Sequence, residues 1–205
     1  GIPHHLIDIV NPNQDFTVAD FQRRVGALIP DILRRNHLPM LVGGTGLYVS
    51  AVIQNYQIPE GTMDKKIRTE LEEDLKKPGG PERLYQMLQE LDPIAAAKIH
   101  PNNHVYLMRA REINFIQKAP KTERKGPPLY TVFQIGIEWP RDVLYERIDR
   151  RVDLQIERGL IEEVKSLLAH GYSKKLPSMS SIGYRQLIAY LEGECSLDDA
   201  LQQIK

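Results

Sequence analysis

The stretch "LVGGTGLY", Leu41 to Tyr48, decides how the chain is read. Apolar residues run into three glycines around one threonine, and apolar residues resume at once. "LPMLV" before the turn is short and apolar enough for a buried strand, and "LYVSAVI" after it suits a buried helix. Further upstream, "DFTVADF" is a helix start, with Thr17 at the N-cap, Asp20 at N3, and Phe16 and Phe21 placed as a hydrophobic staple. That helix is expected to reach about Asn36, with Pro30 predicting a kink or break. Helix, strand, glycine loop and helix in succession is α/β order. Amides freed by glycine at a strand-to-helix turn point toward the positive end of the helix dipole. Gly43, Gly44, Thr45 and Gly46 could therefore seat a phosphate, with the Thr45 hydroxyl as an added donor. The other reading is a turn that only lets strand and helix pack closely. No Lys-Ser/Thr follows, so this is not a Walker A loop, and it is not GxGxxG either.

Working outward, "HLIDIV" near the start is a further strand-like piece. From about Met63 to Lys118 the pattern changes to successive helical stretches broken by Pro, Gly or Asn, which predicts a helical insertion into an α/β domain. "KAPKTERKGPP" is a charged connector, and "TVFQIGIEW" then predicts a return to strand. A helix opened by Pro140 and stopped at Gly171 follows, with Gly159 as its weak point. Ser196 and Asp199 have capping-box spacing for a last helix. The expected division is residues 1–60 and 121–205 as two parts of an α/β core, with 61–120 as the insertion. The opening without methionine and the close inside a helix are expected to mark an internal portion of a longer protein.

Composition narrows the function classes. At 205 residues, with 41% hydrophobic and 26% charged residues, the chain reads as an ordinary globular protein. No apolar run reaches the ~20 residues of a membrane span. One cysteine, Cys195, excludes an internal disulfide framework and fits a reducing, cytoplasmic compartment. Lys plus Arg and Asp plus Glu both total 27, so any nucleic acid must be met by local patches. The six histidines lack metal-cluster spacing, so no protein-ligated metal is expected.

Two more groups could carry chemistry. At about 100° per residue, Val143, Leu144, Ile148, Val152 and Ile156 form one helical stripe. Arg147 and Arg151 fall on its border while Arg150 points away. Two border arginines can grip phosphate oxygens. They could equally form a solvated face paired with Glu146, Asp149 and Asp153. In "LPSMSSIGYRQL", Ser180, Ser181, Tyr184 and Arg185 suit RNA backbone contacts and base stacking. Plain helix capping with Tyr184 in the core is the other reading.

Taken in order, "IPHHLIDIVNP", "FTVADF", "LVGGTGLY", "DPIAAAKIHPN", "RAREI", "RIDRRVDLQIERGLIEEV" and "SSIGYRQLIAYLEGE" resemble the tRNA dimethylallyltransferases, also called tRNA isopentenyltransferases. The resemblance spans essentially the whole chain. It implies a P-loop-NTPase-like α/β core with an inserted all-helical domain that holds the anticodon stem-loop of tRNA. It also implies transfer of a dimethylallyl group from dimethylallyl pyrophosphate to the exocyclic N6 amine of the adenosine 3′ of the anticodon. Magnesium would assist the departure of pyrophosphate, and a cytoplasmic monomer is expected. Carried over by position, Thr45 contacts the reacting centre and pyrophosphate, and Arg151 holds the pyrophosphate as it leaves. Arg147, from its place one turn earlier on the same helix border, is expected beside it as a phosphate ligand. Arg68, the run Val105, Tyr106, Leu107, Met108 and Arg109, and the run Ser180, Ser181, Ile182, Gly183, Tyr184 and Arg185 fall where the family touches tRNA. Many members carry Arg where this chain has Ser180. The family's nucleotide-binding phosphate loop and general-base aspartate are expected upstream of Gly1, so residues 1–205 alone are expected to be inactive. Two other classes fit parts of the pattern: a P-loop-type nucleotide or small-molecule kinase, and a non-catalytic RNA-binding module.

Overall fold

The computed structural model describes residues 1–58, 65–117 and 125–205, and these divide into two compact units, 18–132 and 1–17 with 133–205. Residues 61–64 of the expected insertion and most of the "KAPKTERKGPP" connector lie outside the described residues.

In the 18–132 unit, α1 (Val18–Arg34) begins where the staple places it and continues through Pro30. It packs on α2 (Gly46–Ile53) through Phe21 and Tyr48, whose rings stack at 4.6 Å between centroids. The Gln22 side-chain amide donates to the carbonyls of Ala51 and Tyr56 at 2.8 and 2.9 Å, which ties α1 to the end of α2. Four helices follow: α3 (Lys65–Lys76), α4 (Gly80–Leu91), α5 (Pro93–Lys98) and α6 (His104–Gln117). Their core is Leu71, Leu84, Leu88, Ala95, Ala96, Ile99, Leu107 and Ala110. Two local devices set the turns. A Cβ on Gly80 would come within 2.1 Å of the Asp74 carbonyl oxygen, so only glycine lets α4 start this close to the end of α3. Asp92 caps α5 by accepting from the Ala95 amide at 3.0 Å, and Tyr85 donates to the Ala96 carbonyl at 3.1 Å.

In the other unit, α7 (Arg141–Glu157) and α8 (Leu160–Ala169) are separated at Gly159, whose φ of +95° suits glycine and ends the long helical pattern where the sequence is weakest. A 3-10 turn (Pro177–Ser180), α9 (Tyr184–Leu191) and α10 (Leu197–Ile204) complete it around Val164, Met179, Leu187 and Ile188. The expected capping box on α10 forms, with Ser196 Oγ accepting from the Asp199 amide at 3.1 Å.

The three expected strands do not form among the described residues, where the nearest thing to a ladder is an isolated antiparallel bridge between Tyr56 and Lys125. In "HLIDIV", Leu6 and Asp8 take φ of +62° and +52°, which is incompatible with extension. "LPMLV" and "TVFQIGIEW" carry no regular structure, and their apolar residues stand in solvent: Val42 is 85% exposed and Phe133 87%. A strand exists only through a neighbour that takes its amides and carbonyls. Neither run has one among the described residues, so the P-loop-like α/β core read from the sequence is not present in them.

Candidate phosphate and RNA contacts

The glycine turn is exposed from Leu41 to Leu47. Thr45 is the N-cap of α2, its carbonyl accepting from the Tyr48 and Val49 amides at 2.9 and 3.1 Å. Its hydroxyl makes no capping hydrogen bond, so the usual use of a threonine at this position is not what occupies it. A Cβ added to Gly43, Gly44 or Gly46 would meet nothing within 4 Å. Close packing against the described residues is therefore not why the turn is bare, which weakens the packing reading and leaves the approach of a ligand or another segment.

On α7, Arg147, Arg150 and Arg151 are all exposed, Arg151 flanking the buried Val152. None of the three forms an ion pair among the described residues. Asp153, one of the carboxylates expected to neutralise them, instead pairs with Lys205 of α10 at 2.7 Å. The arginine group is thus not a self-neutralised surface. Arg147 lies over the indole of Trp139, its guanidinium carbon 4.5 Å from the ring centroid. Trp139 was not among the residues singled out from sequence; its signal was being the sole tryptophan, immediately before the helix-opening Pro140.

Arg68 sits on α3 with Nε donating to Glu72 at 3.2 Å, both side chains about half exposed, a surface i,i+4 pair of small worth. The run on α6 divides by helical face. Val105 and Tyr106 are exposed, Leu107 is wholly buried, Met108 packs against the core, and Arg109 pairs with the buried Glu112 at 2.7 Å. Leu107 thus holds the helix in place, its side chain in the core, because successive residues of a helix fall on different faces.

The run on the α9 side reads mostly as a folded turn. Ser180 Oγ donates to the Pro177 carbonyl at 2.7 Å, and Ser181 Oγ to the Ser178 carbonyl at 3.0 Å. Gly183 caps α9, its amide donating to Gln186 Oε1 at 3.0 Å. Tyr184 packs on the apolar core and donates its hydroxyl to the Glu163 carboxylate. Burial, and then the bond and charge of Glu163, push its phenol up to about 12. Tyr184 is half-buried, with its ring against the core, while Ile182 and Arg185 are exposed.

A cleft of about 510 Å³ lies beside α1, lined by Gln22, Gly26, Asn55, Tyr56 and Tyr130 among others. It contains none of the residues singled out from sequence, and its amides are already used: Gln22 as above, and Asn55 toward the Pro127 carbonyl at 3.0 Å. No group of three His, Cys, Asp or Glu side chains converges among the described residues. No described helix is long and apolar enough to cross a membrane.

The family model described as IPP transferase matches residues 1–205. A tRNA dimethylallyltransferase of Thermomicrobium roseum is 44% identical over 207 residues, covering 100% of this chain and 63% of that protein. One from Heliobacterium modesticaldum is 45% identical over 206 residues, covering 98% and 64%. The crystal structure of a tRNA isopentenylpyrophosphate transferase from Bacillus halodurans superposes with a TM-score of 0.65 at 41% identity, covering 100% of this chain and 64% of that one. A eukaryotic dimethylallyltransferase acting on tRNA superposes with a TM-score of 0.71 at 25% identity, covering 100% and 52%. The chain thus spans a little under two thirds of the length of the first of these relatives.

Proposed function

Since the chain belongs to the IPP transferase family, we propose that the complete protein transfers a dimethylallyl group from dimethylallyl pyrophosphate to the N6 amine of the adenosine 3′ of the anticodon in tRNA. One observation carries this beyond family membership: the bare turn Gly43–Gly46 and the arginines of α7 present anion-binding groups whose ordinary structural uses are not taken up. In this reading the complete protein has a P-loop-NTPase-like core in which residues 38–42 and 131–139 gain strand partners, and residues 61–120 are the helical insertion that holds the anticodon stem-loop. The donor is met by residues 43–46, Arg147 and Arg151, and tRNA by Thr45, Arg68 and residues 105–109 and 180–185.

The chemistry follows from charge. The adenosine amine attacks C1 of the prenyl group, the C1–O bond breaks with its electron pair leaving on pyrophosphate, and the amine proton is lost. The base must leave its stack for the amine to be reached. Negative charge grows on the leaving oxygens, and preorganised donors lower the barrier in proportion to that growth. Thr45 and the turn amides supply neutral donors, while Arg151 and Arg147 supply charged ones. Magnesium, when bound, would add positive charge to the same oxygens.

The direct test is mass-spectrometric detection of a prenylated adenosine after the complete protein is incubated with unmodified tRNA and dimethylallyl pyrophosphate. No prenylated adenosine, together with turnover of ATP when tRNA is left out, would overturn the proposal. Within the same assay, Arg68→Ala is expected to raise the KM for tRNA several-fold, with the gap from wild type narrowing as salt increases. An effect confined to the KM for the donor would remove Arg68 from the RNA surface.

Gly46→Ala separates the two explanations of the bare turn. Its Cβ would enter open space at the first residue of α2. Alanine is also the better helix former, by up to ~1 kcal/mol in a helix interior, so thermal stability is expected to hold or rise. Donor affinity is expected to fall about tenfold, because the methyl occupies the approach to the amides, and a tenfold change is ~1.4 kcal/mol. Calorimetry and donor KM on one preparation read both. A lost Tm with unchanged donor KM would return the turn to a packing role.

A further inference from the structure

We infer that Trp139 is a positioning residue for the prenyl pyrophosphate: its indole face holds Arg147 so that the edge of the guanidinium is presented to the diphosphate. The inference rests on the functional reading above and adds to it a residue that no family feature named here assigns.

The geometry is specific. Pro140 caps α7 with φ −52° and ψ 142°, and its carbonyl accepts the first helical bond from the Leu144 amide at 2.9 Å. Trp139 stands just before this cap, and Arg147 of α7 lies over its ring. A guanidinium has two chemically distinct surfaces. Its flat face stacks on aromatic rings, and its rim carries five N–H donors that match phosphate bidentately. Stacking on Trp139 uses the first and leaves the second. The rim is not consumed by a carboxylate, since Arg147 forms no ion pair among the described residues although Glu146 and Asp149 are close in sequence. An exposed arginine otherwise samples many rotamers, and that freedom is lost when a ligand binds. The indole removes part of this loss in advance.

Trp139 is also the only tryptophan of the 205 residues, which makes its emission a reporter of the contact. In the complete enzyme, the difference in fluorescence between wild type and Trp139→Phe isolates it. Titration with magnesium pyrophosphate is expected to change this difference signal saturably, while sulfate at matched ionic strength does not. Arg147→Ala is expected to shift the starting emission and abolish the response. In turnover, Trp139→Ala is expected to raise the KM for dimethylallyl pyrophosphate about threefold to tenfold, the range of an exposed to partly desolvated cation–π contact. The KM for tRNA should stay constant, and Trp139→Phe should recover most of the loss. A difference signal blind to pyrophosphate overturns the inference, as does a donor KM in Trp139→Ala equal to that of wild type. Failure here is distinct from failure of the functional reading: that reading falls if no prenylated adenosine forms from tRNA and dimethylallyl pyrophosphate, whereas this inference alone falls if wild type makes that product and Trp139 is silent.

Discussion

Arg151→Ala in the complete enzyme should lower the single-turnover rate of prenyl transfer about a hundredfold or more, with both substrates saturating. The size follows from what the side chain is asked to do. Charge that builds on a leaving diphosphate only in the transition state is stabilised by groups already in place, and deleting one such donor commonly costs ~10² to 10³ in rate. The fold should not register the change. Arg151 is exposed and forms no ion pair among the described residues, and surface substitutions of that kind move stability by about 0.5 kcal/mol or less. Arg150→Ala is the matched control, one residue away on α7 and just as exposed, but expected from its helical position to point elsewhere. Arg151→Lys should recover part of the rate and not all, because an ammonium keeps the charge but cannot bind two oxygens in one plane. Arg151→Ala with the turnover of wild type, or equal losses at Arg150 and Arg151, would remove Arg151 from the reaction.

The second large effect is expected at Thr45. Thr45→Ala should also cost about a hundredfold in turnover, and it tests a hydroxyl rather than a charge. An N-cap threonine usually bonds to the helix it caps, and its loss then destabilises by ~1 kcal/mol. Here the hydroxyl makes no such bond, so α2 should keep its stability in the variant. Thr45→Ser, which retains the hydroxyl, should recover most of the rate. A variant that loses stability while its residual folded fraction turns over normally would reassign Thr45 to the helix.

What could be read directly from the sequence was everything decided within a few residues. The start of α1 just after Thr17, the capping box at Ser196 and Asp199, and the break at Gly159 each depend on side chains and backbone within about one or two helical turns. All ten helices described here start or stop near their local signals. The family was equally legible, because motif order along a chain needs no coordinates.

Tertiary structure alone decided the rest. Whether "LPMLV" and "TVFQIGIEW" become strands depends on a partner that their own residues cannot name, and among the described residues there is none. That the Tyr184 hydroxyl finds Glu163 depends on how α8 packs against α9. Whether α7 carries free arginines turned on Lys205, fifty-two positions beyond Asp153, taking that carboxylate. The Arg147–Trp139 contact likewise joins α7 to the residue just before its cap. Local signals fix helices because each helical bond closes over four residues. Sheets, ion pairs and stacked rings close over distances along the chain that only folding sets.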